Sequence, residues 1–114
     1  MKVITVHDPV YTATYKIVYG APFKQFASLV KHTCNEILED SSCDGLCFVS
    51  SKPNYIWVYT EERKPTILIH ELHHAMFRVL DSRGIKLNRE TEEVYAYYIA
   101  YLTNAILSKG GNNA

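Results

Sequence analysis

The sequence has no excess charge of either sign: twelve Lys and Arg balance twelve Asp and Glu over 114 residues. That leaves little for a polybasic nucleic-acid surface and gives no acidic tail. Long apolar runs are also missing. The opening residues, Met1 to Pro9, contain neither the apolar stretch nor the small-residue cleavage site of a signal peptide. No segment is apolar for long enough to span a bilayer. Cysteine is scarce, at Cys34, Cys43 and Cys47. An odd number without an export signal argues against a disulfide framework. Internal repeats and low-complexity tracts are absent. These absences predict a cytoplasmic chain with no membrane and no nucleic-acid partner.

What is present is an ordinary globular balance, 47% hydrophobic and 21% charged. The length predicts one domain over residues 1–108, with 109–114 as a flexible tail. Val3 to Val6 is a short β-rich run. Val10 to Tyr19 alternates with period two, placing Tyr11, Ala13, Tyr15, Ile17 and Tyr19 on one face of a strand that Gly20 and Pro22 end. From Pro22 to about Asp40 the spacing of Phe23, Phe26, Leu29, Val30, Ile37 and Leu38 is helical. Ser41 to Gly45 reads as a turn. Leu46–Val49 and Tyr55–Tyr59 read as a hairpin around Lys52-Pro53-Asn54. Pro65 suits the first turn of a helix running to about Ser82, with Gly84 as its stop. Asn88 suits the N-cap of a last helix running to about Ser108. The expected fold is α+β, in the order β-β-α-β-β-α-α.

Three of the five histidines fall within five residues, His70-Glu71-Leu72-His73-His74. This satisfies H-E-x-x-H. Residues i and i+4 share a helix face, so His70 and His74 can present two imidazoles to one tetrahedral zinc ion. Glu71 lies about 100° round, near enough to contact a metal-bound water without ligating. Leu68, Leu72, Ala75, Met76, Val79 and Leu80 fall roughly opposite the two histidines. The predicted helix thus has a core face and a separate histidine face. His73, at i+3 from His70, reads as a flanking residue. A catalytic zinc takes three protein ligands and a water. The short link through Gly84 returns the last helix beside this one, so a glutamate of its first turns is the expected third ligand.

With those residues the chain resembles the glutamate-zincin metallopeptidases, in which H-E-x-x-H on one helix is joined by a glutamate on the next. The run Glu93-Val94-Tyr95-Ala96 looks like the E-x-x-A element of ImmA/IrrE-type peptidases, and small phage and prophage proteins with H-E-x-x-H look similar. The resemblance covers about Tyr55 to Leu107. It implies a minimal zincin-like domain, a small and mostly antiparallel sheet packed on the two helices. It implies His70, His74 and Glu93 as zinc ligands, with Glu92 a competitor for the third place and Glu90 less suited. It implies Glu71 as general base in peptide-bond hydrolysis, with a peptide or protein as substrate. The Tyr55–Tyr59 strand is then expected at the rim of a cleft, where an extended peptide adds to its edge. Trp57 reads more readily as packing than as cleft lining.

The chain also departs from the larger families. It lacks the long C-terminal lobe that closes the substrate cleft, and no aspartate follows four residues after Glu92 or Glu93. Asp81 is the remaining candidate to orient a ligand histidine. Tyr95, Tyr97, Tyr98 and Tyr101 are candidate oxyanion donors that the sequence does not separate. These departures motivate an alternative, a non-catalytic zinc-binding protein that uses the same scaffold to bind a host or defence protein. A second metal constellation, His32, Cys34, Cys43 and Cys47, is disfavoured because His32 and Cys34 point apart on a helix.

Overall fold

The computed structural model describes residues 1–39 and 43–110. Two strands, β1 (Lys2–Asp8) and β2 (Ala13–Tyr19), precede helix α1 (Phe23–Cys34). Strands β3 (Gly45–Val49) and β4 (Ile56–Thr60) follow, then helices α2 (Pro65–Ser82) and α3 (Glu92–Gly110). The order is the one expected. The sheet runs β1-β2-β4-β3. Its outer pairs are antiparallel, and its central pair, β2 with β4, is parallel. The whole is a compact α+β domain built on a mixed four-stranded sheet.

The sheet is covered on both faces. Ala13, Tyr15, Ile17, Ile56 and Val58 pack with the buried residues of α2 and α3 on one side. Val18, Trp57 and Tyr59 pack with Phe26, Val30 and Cys34 of α1 on the other. The apolar face of α2 consists of Leu68, Leu72, Ala75, Met76, Val79 and Leu80, as the helical spacing predicts. Trp57 is buried beneath α1, stacked on Phe48 and donating its indole N–H to Ser50 Oγ. It is packing, not cleft lining. No helix among the described residues is long and apolar enough to cross a membrane.

Beyond shifts of one or two residues at the ends of β1, β3 and β4, four boundaries and one position differ from expectation. β2 begins at Ala13 rather than Val10, because the Asp8 carboxylate accepts the N–H groups of Val10 and Tyr11 and bends the chain. Thr12 then takes a left-handed φ of 52°. Helix α1 stops at Cys34, not near Asp40. Asn35 adopts the left-handed C-cap conformation and its N–H reaches Lys31 O. Asparagine tolerates that conformation. Ile37 is consequently outside the helix and 79% exposed, although Leu38 still packs against the α1 core. Asn88 caps a turn rather than the helix, accepting the N–H groups of Glu90 and Thr91, and α3 starts at Glu92. At the other end Lys109 and Gly110 are helical rather than tail; the rest of the expected tail, and Asp40 to Ser42 of the expected helix end and turn, lie outside the described residues. Finally, the Tyr55–Tyr59 segment is not a rim. The crossover through α1 sets β4 beside β2 and the hairpin sets β3 on its other side, so β4 has no free edge. The edge nearer α2 belongs to β3.

Asp8 is buried and holds the sheet to α3. Its carboxylate accepts the Tyr98 hydroxyl at 2.6 Å, and Tyr98 in turn shares a hydrogen bond with the buried Tyr15 hydroxyl at 2.8 Å. Burial, then these bonds, raise the pKa of Tyr98; burial raises that of Tyr15. Burial also lifts Cys47 from 9.0 to about 11 and Tyr59 from 10.0 to about 12. In each case the fold favours the protonated form. Between the unfolded and folded values the unfolded chain holds fewer protons, so stability present below pH 9 falls as pH rises through about 11 to 12. The urea midpoint should therefore drop steadily from pH 8.5 to 11; a flat midpoint contradicts this reading. Tyr98→Phe strips the strongest partner from a buried carboxylate and should cost about 1–3 kcal/mol in urea unfolding at pH 7.

Candidate metal centre

Packing positions the histidines. With its apolar face against the sheet, α2 must turn the opposite face outward, and His70, His73 and His74 are all exposed. His70 and His74, one turn apart, aim their rings at a common point. Their Nε2 atoms stand 3.3 Å apart, with ring centroids at 4.9 Å and planes at 78°. Two imidazole nitrogens bound at about 2.05 Å to one tetrahedral ion are separated by about 3.3 Å. The pair has the bite of a zinc half-site. The same separation also accommodates an N–H···N hydrogen bond, so in the absence of an ion the rings satisfy one another.

Glu71 is half-buried and turns toward β3. A concavity of about 330 Å³ opens there, lined by Asp44, Gly45, Thr66, Ile67, His70 and Glu71. Gly45 makes the approach possible. A Cβ at that position would stand 2.8 Å from Tyr59 O, 2.9 Å from an Ile67 methyl and 3.1 Å from Glu71 Cγ. The backbone of β4 and two side chains of α2 therefore crowd this position so closely that a Cβ has no room, and Glu71 rests over the end of an edge strand. No described residue pairs with the outer edge of β3. Gly45 was legible in the sequence only as part of a turn; its role as a spacer requires the packing of α2.

The expected third ligand does not join the pair. Among the described residues no group of three His, Cys, Asp or Glu side chains is gathered closely enough to hold a metal ion. Glu92 and Glu93 are exposed in the first turn of α3. Phe77, three residues past His74, meets Tyr95, two residues past Glu93, at a centroid distance of 6.0 Å. At 1.5 Å rise per residue, Glu93 sits roughly 8 Å along the helix pair from the level of His74. Glu90 precedes the helix altogether. Asp81 is engaged elsewhere, in an ion pair with Lys86 at 2.8 Å. The second constellation is not assembled: Cys34 packs into the α1 side of the sheet and Cys47 against the α2 side.

The tyrosines separate by environment. Tyr95 and Tyr98 are buried and donate to Ile85 O and Asp8 respectively. Tyr97 and Tyr101 are exposed and line a groove of about 440 Å³ against the turn between β1 and β2; its lining shares no residue with the histidine pair. No family model matches the chain, and neither a curated protein nor a solved structure matches it.

Gly45→Ala should destabilise the fold by about 1–3 kcal/mol, because the backbone carbonyl of Tyr59 cannot move aside as a flexible side chain does. Urea unfolding at neutral pH measures it. Wild-type stability in that variant would show that the space between Gly45 and the Tyr59 carbonyl admits a methyl group.

Proposed function

We propose that this protein is a zinc-dependent peptide hydrolase of zincin-like type, in which His70 and His74 hold the metal and Glu71 is the general base. The observation that carries the proposal is the 3.3 Å separation of the two Nε2 atoms on an exposed helix face. The resemblance of the H-E-x-x-H helix and the following glutamate-bearing helix to glutamate-zincins supports it. Zinc, when bound, supplies an acidified water and polarises a carbonyl.

The chain's own residues supply the rest. Glu71, beside His70 and over Gly45, is placed to take a proton and return it to a leaving amine. The outer edge of β3 offers unpaired backbone groups to an extended peptide, which sets the substrate alongside α2. His73, exposed and one residue short of the i+4 spacing, flanks the site. Glu93, with Glu92 as competitor, is the third ligand that the resemblance implies; in this structure both are exposed in the first turn of α3, apart from the pair.

A second reading follows from the third ligand standing apart from the pair: zinc is held without catalysis, and the scaffold binds a protein partner. One comparison separates the two. Wild-type protein should bind one equivalent of zinc and hydrolyse unfolded casein; His70→Ala should lose the zinc. Glu71→Gln should keep the zinc and lose hydrolysis by about 10²-fold or more. A wild type that binds zinc but cleaves nothing supports the second reading, and a wild type that binds no zinc ends both.

A further inference from the structure

The stripe of α2 that faces β3 continues past Glu71. Arg78 lies seven residues on, at nearly the same helical azimuth and about 10 Å further along the axis, and Ser82 follows it. Where this stripe meets the sheet, a pocket of about 570 Å³ opens, lined among others by Arg78, Ser82, Arg83, Thr12, Val49 and Asn54. Its lining holds two guanidinium groups and no carboxylate, in a chain whose formal net charge is zero.

The two arginines are differently prepared. Arg83 is held in place: Nε and Nη2 donate to Tyr11 O at 3.1 and 2.5 Å, and Nη1 donates to Ser82 Oγ at 2.9 Å. A guanidinium has five N–H donors, so two remain to be directed elsewhere. Arg78 forms no ion pair or hydrogen bond among the described residues. Both side chains are exposed at the pocket. A planar donor fork without an acid partner, beside a second one already oriented, is the chemistry that receives a carboxylate.

The pocket is also in register with the edge strand. β3 begins at Gly45, under Glu71, and ends at Val49, which is 43% exposed and belongs to the pocket lining. Four residues of strand span about 13 Å. A peptide laid along β3 past Glu71 therefore comes level with Arg78 within about four residues, with Arg83 further in, tethered at Tyr11 O before β2. We propose that the Arg78–Arg83 pocket binds a carboxylate of the peptide seated on β3, either its C-terminal carboxylate or an acidic side chain. The inference rests on the peptide-binding role given to this edge above, but not on the metal.

Three fluorescently labelled hexapeptides of alternating valine and threonine test it: one with a free C-terminal carboxylate, one amidated, and one amidated with a single internal glutamate. Binding is read by anisotropy with metal-free protein and at 0.15 M salt. At least one carboxylate peptide should bind about tenfold more tightly than the neutral amide. Arg78→Ala should abolish that preference, and Arg78→Lys should restore part of it. Which peptide is preferred identifies the end group or the side chain as the source. Equal binding of all three, or a preference that survives Arg78→Ala, overturns the inference. Zinc binding by wild type without any charge preference overturns it while leaving the hydrolase reading intact. An Arg78-dependent preference in a protein that binds no zinc does the reverse.

Discussion

Burial of one face of α2 against the sheet is the constraint on which the rest depends. Six apolar side chains, Leu68, Leu72, Ala75, Met76, Val79 and Leu80, lock the rotation of the helix about its axis. Each large one contributes about 1.5–3 kcal/mol on burial, so no other rotation competes. Once the rotation is set, His70 and His74 face outward together, Glu71 turns to the start of β3, and Arg78 to its end. The histidine pair does not need a polar network to orient it. The core does so from behind.

Much of this was legible in the sequence because helical periodicity reports rotation directly. The core face of α2, its start at Pro65 and its stop before Gly84 all followed from spacing and caps, and Gly84 does take a positive φ of 82°. The places where the reading failed are those where a local side-chain bond overrode periodicity. Asp8 captured the N–H groups that would have extended β2. Asn35 ended α1 while the apolar spacing ran on through Ile37 and Leu38. Thr91, not Asn88, stands immediately before α3. Strand order was beyond local pattern altogether. The parallel β2–β4 pair depends on the crossover through α1, and this is what moved the free edge from β4 to β3.

Site chemistry was legible in proportion to how local it is. The i, i+4 histidine pair is set by one helix, which brings the two Nε2 atoms to 3.3 Å. A third ligand from α3 would need the two helices in register, and the link through residues 83–91 puts the first turn of α3 beside the end of α2 rather than its middle. Gly45 and Arg78 gave no local signal, since their meaning comes from how β4 and α2 pack around β3. The histidine pair borders a concavity at the start of β3, and a separate basic pocket lies at the other end of the strand.

The central claim is that His70 and His74 converge on one metal ion through Nε2. Long-range ¹H–¹⁵N spectra of the imidazole rings during zinc titration test it most directly. One equivalent of zinc should shift the Nε2 resonances of His70 and His74 together and leave His7, His32 and His73 in place. A titration that moves none of the five, or that moves His73 in place of His74, would contradict the account.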